Sequence, residues 1–237
     1  MTSLRLGDIA VDVVLKDIKN VHLSVYPPTG RVRISAPTKM SVDTIRVFVV
    51  SKLDWIKQQR LKLWEQERES RREYLDRESH YVWGRRYLLR VVEEDGPPEV
   101  QLRSEKMVLR VRPGASEETK KLVVAAWYRQ IVKDAAQPLI ELWERRLSVK
   151  VKHLFVRQMR TRWGTCNPTA RSIRLNTDLA KKPFECLEYV VLHELVHLIE
   201  RRHNERFRLL MDRFMPQWRQ YRDDLNRAPL AHVDWRY

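Results

Sequence analysis

The segment His193-Glu194-Leu195-Val196-His197 carries two imidazoles and a carboxylate at a spacing suited to metal-assisted hydrolysis. On a helix each residue turns about 100°, so His193 and His197 lie within roughly 40° of one another, one turn apart. Two imidazoles so placed reach a single ion at a Zn–N distance of roughly 2.0–2.1 Å. Glu194 sits about 100° round from His193, on the same side, where it reaches water rather than the ion. Neutral imidazoles leave a divalent ion its charge, which lowers the pKa of bound water from about 15.7 towards about 7. A carboxylate beside it then accepts a proton as the water attacks a carbonyl and passes it to the leaving amine. Val190, Val191, Leu192, Leu195, Val196, Leu198 and Ile199 are apolar nearly all round this helix, so it is expected to be buried on several faces. Two histidines and a glutamate buried without partners would be costly, which favours a metal over a chance match with core histidines.

A third imidazole, His203, follows His197 with five residues between them. Glu200-Arg201-Arg202 is polar, and Asn204 has the chemistry of a helix N-cap. The chain is therefore expected to leave the first helix near Arg201 and turn back at His203, bringing that ring to the open side of the metal. Glu200 and Glu205 compete as ligands, but three histidines with an open fourth position suit catalytic zinc better. Three imidazoles also suit nickel, cobalt or copper, so zinc is the expected ion among several compatible ones. In Arg162-Trp163-Gly164-Thr165-Cys166, Gly164 is expected to permit a tight bend and Trp163 to wall a cleft. Arg162 is placed to pair with a carboxylate or a substrate carbonyl, and Cys166 is read as a supporting residue, not a ligand.

The elements around these residues follow from periodicity. Apolar alternation at Ile9, Val11 and Val13, at Val21, Leu23 and Val25, and at Val32 and Ile34 predicts three strands of a small antiparallel sheet, with Pro27-Pro28-Thr29-Gly30 as a turn. One helix is predicted from the Asp43 region through Ile45, Phe48, Val49, Leu53, Ile56, Leu63 and Trp64. The charged stretch from Glu65 to Glu78 reads as a solvated extension or linker and sets the expected domain boundary: 1–78 and 79–237. Strands are expected at Tyr81 to Trp83 and Tyr87 to Val92, broken at Gly84, and a hairpin at Val100 to Val111. A long helix is predicted over 117–147, interrupted near Pro138, with an apolar stripe of Leu122, Ala125, Ala126, Ile131, Ala135, Leu139, Leu142 and Trp143. Strands at Val149 to Val156 and Ser172 to Leu175 precede the histidine-bearing helix, and two helices split at Met215-Pro216 follow it. No internal repeat at a fixed period is visible.

The chain has 237 residues, 43% hydrophobic and 32% charged, enough to bury a core without disulfides. It contains no apolar run long enough to span a bilayer and no secretory h-region, so no membrane association is expected. Two cysteines, Cys166 and Cys186, give no disulfide framework and fit a cytoplasmic setting. The net charge of +15 points to a polyanionic neighbour, nucleic acid first among them. Arg157, Arg160, Arg162, Arg171, Arg174, Lys181 and Lys182 are expected near the cleft, where a cluster on one rim would favour that partner.

Arg162-Trp163-Gly164-Thr165-Cys166, Arg174-Leu175-Asn176, the His193-to-His197 pentapeptide and His203-Asn204-Glu205-Arg206-Phe207 together resemble the YgjP-like metallopeptidase family, which is similar to the SprT-like proteases among the zincins. The likeness extends upstream through Ala36-Pro37, Lys52-Leu53-Asp54-Trp55-Ile56 and Gly84-Arg85-Arg86-Tyr87. Thr165 stands where that family usually has Ser. The resemblance implies a zinc-dependent hydrolase acting on protein or peptide, with His193, His197 and His203 as ligands and Glu194 as acid–base. Arg162, Trp163, Arg174 and Asn176 are the candidate substrate-binding residues. The strand from Arg171 to Thr177 is expected to be a sheet edge to which a substrate peptide adds. The expected fold is α+β: an N-terminal antiparallel sheet and helix ahead of a minimal zincin-like domain. Two other readings stay open: a nucleic-acid-associated protease, and a binding module with a non-catalytic metal.

Overall fold

A computed structural model describes residues 2–26, 29–65, 73–159 and 162–227. Pro27 and Pro28 of the expected turn, most of the charged stretch after Glu65, and Arg160 lie outside the described residues. The chain divides into two compact units, one before residue 70 and one spanning 70–228. The fold is α+β, strands leading and helices following.

The first unit has four strands, β1 (Thr2–Leu6), β2 (Ile9–Lys16), β3 (His22–Tyr26) and β4 (Arg31–Pro37), in the order β1-β2-β4-β3. The two outer ladders are antiparallel, as the alternation predicts, but β2 and β4 run parallel. The strand β1 was not foreseen; its Leu4 pairs with Val11 and joins the core. In place of one helix there are two, α1 (Val42–Ser51) and α2 (Leu53–Glu65), parted at Lys52. The cap is Ser41, whose Oγ accepts from Thr44 N at 3.2 Å, not the Asp43 region. Ile45, Val49 and Ile56 close this unit's core over Val11, Val32 and Ile34.

The second unit opens with β5 (Ser79–Val82), β6 (Arg85–Glu93), β7 (Glu99–Arg103) and β8 (Lys106–Val111), ordered β5-β6-β8-β7. Then comes α3 (Glu117–Leu147), continuous through Pro138. Asp134 and Pro138 both lie on the exposed side of the helix, where solvent can replace the hydrogen bond that the proline removes. The buried stripe of α3 is Val124, Tyr128, Val132, Ala136, Leu139, Ile140, Trp143 and Leu147, whereas Leu122 is 63% exposed. Tyr128 moves the stripe round: its hydroxyl donates to the Tyr81 carbonyl at 3.0 Å, satisfying the polar end of a buried ring. A second sheet holds β9 (His153–Arg157), β10 (Gly164–Asn167) and β11 (Ser172–Asn176) in the order β10-β11-β9. A 3-10 turn at Thr177–Lys181 leads into α4 (Phe184–Val196), and α5 (Glu205–Phe214) and α6 (Trp218–Arg227) follow, split at Met215-Pro216 as predicted.

A repeat is present after all, in topology. Both four-stranded sheets have a parallel ladder between antiparallel flanks. At one constant interval, buried Val32, Ile34 and Ala36 correspond to Met107, Leu109 and Val111, and Val49 corresponds to Val124. The caps correspond too: Ser41 with Thr44, and Ser116 with Thr119, each serine accepting from the threonine N–H at 3.2 Å. Polar surface positions have diverged, so only the fold makes the repeat visible.

Candidate metal centre

The helix α4 is buried almost all round, with Leu187, Val191, Leu192, Leu195 and Val196 wholly enclosed. It ends at Val196 with His197 as its C-cap, several residues before Arg201, and turns on through Leu198 and Ile199. The shorter helix lets the chain double back at His203, immediately ahead of Asn204, whose Oδ1 caps α5 by accepting from Phe207 N at 3.0 Å. His193, His197 and His203 thereby converge, offering ligand nitrogens all within 4.8 Å of one another. Nε2 of His203 stands 3.1 Å from Nε2 of His193. Two nitrogens bound to one tetrahedral zinc would stand about 3.3 Å apart, so the spacing fits such an ion. The Phe207 ring lies against all three imidazoles, centroids 5.0, 4.9 and 4.7 Å away, and keeps them together.

The hydrogen bonds around the rings point the same way. His197 Nδ1 donates to the Glu200 carbonyl at 3.0 Å, which leaves Nε2 as the lone-pair nitrogen. The Tyr189 hydroxyl, one turn before His193, is 3.5 Å from its Nδ1. Burial, with the neighbouring His197 and His203, pushes the His193 pKa down to about 3, and burial lowers that of His197; neutral imidazole is the ligand form. Glu200 and Glu205 stand outside the cluster, and Oε1 of Glu200 accepts from Arg202 N at 3.1 Å.

Glu194 is 5% exposed, and its Oε2 has no hydrogen-bond partner among the described residues. A buried oxygen left this way is costly unless a ligand or water meets it. Burial raises its pKa to about 8, with Arg162 pulling the other way. Gly164 explains how the carboxylate is held. A Cβ there would sit 2.6 Å from Glu194 Oε1 and 2.8 Å from Val190 Cγ1, so β10 presses its backbone directly onto the helix. The glycine is needed for this close approach, not for a bend. The histidines and Glu194 open into a cleft of about 580 Å³, walled by Trp163, Thr165, Cys166, Tyr189 and Leu225 and carrying Arg162, Arg201 and Arg222.

The sequence model of the YgjP-like metallopeptidase domain matches residues 19–228. The chain belongs to the YgjP-like metallopeptidase family. As a family member it is a metal-dependent peptidase, with proteins or peptides as substrates. Among solved structures this YgjP-like chain is similar to the metallopeptidase zymogen abylysin of Pyrococcus abyssi, at 18% identity and a TM-score of 0.36 over 40% of this chain and 99% of that one. It is also similar to the zymogen jannalysin of Methanocaldococcus jannaschii, at 16% identity and 0.33 over 40% and 92%. No curated protein matches it.

In this YgjP-like peptidase the strand expected at the sheet edge is central: β11 lies between β10 and β9. The short β10, which the sequence shows only as a glycine-containing bend, takes the edge beside Glu194. Asn176 is not in the cleft. Its Nδ2 donates to the carbonyls of Met159 and Arg162, both at 2.9 Å, and its Oδ1 accepts from Asp178 N at 3.1 Å, so it staples the loop before β10. Arg174 lies over the Phe155 ring at 5.7 Å, also outside the cleft. Arg162 and Trp163 do line it. Of the described basic residues expected on one rim, Arg162 alone lines the cleft; Lys181 pairs with Asp178 at 3.0 Å and Lys182 is buried over Trp163. Cys166 lines the cleft with its thiol pushed up to about 12 by burial and by Glu194, which keeps it protonated. Tyr189, Arg201, Arg222 and Leu225 were missed. Tyr189 is detectable as the residue one turn before His193, but α6 is brought in by tertiary packing that no local pattern announces.

Proposed function

We propose that the protein is a zinc peptidase in which His193, His197 and His203 hold the ion and Glu194 is the general base and acid. The observation that carries this is the convergence of three imidazoles beside a buried carboxylate with one unpartnered oxygen. When bound, the ion supplies Lewis acidity, lowering the pKa of water and polarising the scissile carbonyl. Glu194 takes a proton from the attacking water as its oxygen bonds to the carbonyl carbon. As the C–N bond breaks, Glu194 returns that proton to the leaving nitrogen. Gly164 holds the carboxylate against β10, and His197 is kept in register by the Glu200 carbonyl. A cation at the three imidazoles acts on Glu194 in the same downward sense as Arg162, favouring the ionised base. The free edge of β10 offers main-chain hydrogen bonds to an extended substrate, a sequence-tolerant mode of docking. Cys166 and Cys186 are free thiols and no described helix is long and apolar enough to cross a membrane; both fit a cytoplasmic site of action.

The test is metal content and casein cleavage measured side by side. About one zinc per chain is expected in the wild type. Glu194→Gln should keep the zinc and lose cleavage by at least about a hundredfold. His203→Ala should lose both. Full zinc occupancy in the His203 variant would shift the third ligand to a carboxylate, and unimpaired cleavage by Glu194→Gln would remove the general-base role.

A further inference from the structure

The cleft is unevenly charged. Arg162, Arg201 and Arg222 line it, and among the described residues the one acidic group on its walls is Glu194, which the hydrolytic reading already occupies. The three arginines come from separate places: the segment before β10, the turn after α4, and α6. We propose that this arginine rim selects carboxylates, so that the cleft prefers peptides carrying an acidic side chain or a free C-terminus near the scissile bond. This rests on the peptidase reading and adds to it a substrate class.

The environment of each guanidinium supports the assignment. Arg162 and Arg201 are exposed and make no salt bridge within 4 Å among the described residues, although Arg162 acts on Glu194 at longer range; Arg201 and Arg222 therefore carry most of the selection. Arg222 lies over the Trp218 ring at 5.2 Å, which orders the side chain without using its donors. Its Nε and Nη2 donate to Asp223 Oδ1 at 3.0 and 2.9 Å, a surface pair of the kind that exchanges readily for a better acceptor. Neighbouring Arg219 is different: it is held by both oxygens of Asp212, and it does not line the cleft. A guanidinium fork matches a carboxylate in two hydrogen bonds, which a lysine cannot do. The nearby Lys181 and Lys182 are committed elsewhere, so the positive charge at the cleft is arginine charge with directed donors. A divalent ion on neutral imidazoles adds further positive potential at the centre and strengthens the attraction for anionic peptides.

The experiment uses one fluorogenic peptide built around a bond that the wild type cleaves in casein. It is made with Glu, Gln or Lys flanking that bond and an amidated C-terminus; the Gln version is also made with a free C-terminus. The expected order of kcat/KM is Glu above Gln above Lys, spanning about tenfold at low salt and narrowing as salt rises. An advantage confined to the free C-terminus would assign the arginines to the terminal carboxylate instead of side chains. Arg201→Glu and Arg222→Glu, checked for unchanged melting, should reduce or invert the Glu-to-Lys ratio, and Arg222→Gln should reduce it less. Equal cleavage of all four peptides would overturn the carboxylate selection and leave the peptidase reading intact. If casein yields no cleaved bond, the peptidase reading fails, and the peptides are built on an arbitrary casein segment instead. Fluorescence anisotropy of the same peptides on zinc-loaded Glu194→Gln then decides selection alone: tighter binding of carboxylate peptides supports it and equal binding overturns it.

Discussion

The module formed by β1–β4 with α1 and α2, and the one formed by β5–β8 with α3, share strand order, ladder polarity and the serine–threonine helix cap, but their helices diverge after the first few turns. In the first, α1 stops at Lys52, where φ is −111° and ψ 8°, and the chain restarts as α2. In the second, α3 runs for 31 residues without a break. Val124, Tyr128 and Val132 cover its own sheet, and the same stripe continues through Leu139, Ile140 and Trp143 into the core that encloses α4. The hairpin tips differ in the same sense. At β1–β2, a Cβ on Gly7 would meet nothing within 4 Å. At β5–β6, Trp83 N donates to the Ala180 carbonyl at 2.7 Å, and a Cβ on Gly84 would stand 3.2 Å from Pro183 Cγ, at the start of α4. One plan thus yields a compact block in one place and a scaffold for the histidine-bearing helix in the other. The difference lies in how far the helix extends and what the hairpin tip touches.

The strongest way to break that comparison is through matched core positions. Ile34 and Leu109 are each 0% exposed and occupy corresponding places on β4 and β8. Truncation of either to alanine should cost about 2–5 kcal/mol within its own unit. Leu109→Ala is expected to lower the urea midpoint of activity along with that of unfolding. Ile34→Ala is expected to shift unfolding of the first unit and leave cleavage of a short peptide near wild type. The readout is activity and tryptophan fluorescence on the same urea series. Equal loss of activity from both variants would mean that the first module also holds up the centre.

The glycine tips give the next, smaller contrast. Trp83 and Gly84 have φ of 50° and 78°, the pair of left-handed residues that a tight hairpin needs, and Gly7 has φ of 61°. Alanine at either glycine pays left-handed strain of about 1–2 kcal/mol. At Gly84 the new methyl group also meets the Pro183 ring, so Gly84→Ala should lower kcat/KM several-fold as well as stability, by displacing the start of α4. Gly7→Ala should lower stability alone. Thermal melts beside peptide kinetics separate the two, and an unchanged kcat/KM for Gly84→Ala would show that the tip does not position the helix.

What could be read from the sequence follows the range of the interactions. The pentapeptide from His193 to His197 is legible because a single helical turn makes it a site, and His203 because Asn204 announces the next helix. Both ends of α3 are legible from the apolar period, and Ser116 caps the start. Its buried face was misplaced because Tyr128 is drawn inward by the Tyr81 carbonyl, a partner 47 residues away in sequence. The reason for Gly164 was hidden for the same cause: the group it makes room for, Glu194, belongs to another element. Arg222 and Leu225 reach the cleft only because α6 packs on α4. The parallel ladders escaped because alternation reports which face of a strand is buried but not which strand lies beside it.

The smallest contrast lies in the caps, where the two modules are most alike. Ser41 and Ser116 each accept from a threonine N–H, and their hydroxyls stand 2.8 and 3.0 Å from that threonine's Oγ1. Loss of either serine to alanine should cost about 1 kcal/mol. Because the local chemistry is the same, the two costs should agree within a few tenths of a kcal/mol, each measured on its own unit's transition. Their consequences should not agree. Ser116→Ala loosens the first turn of the helix that packs on α4, so the temperature at which peptide cleavage fails should fall with it. Ser41→Ala acts on a helix that ends at Lys52, so that temperature should stay where it is. Equal costs with unequal effects on activity would place the functional difference between the modules in the extension of α3. Unequal costs would place it already in the first turn, where the two structures look the same.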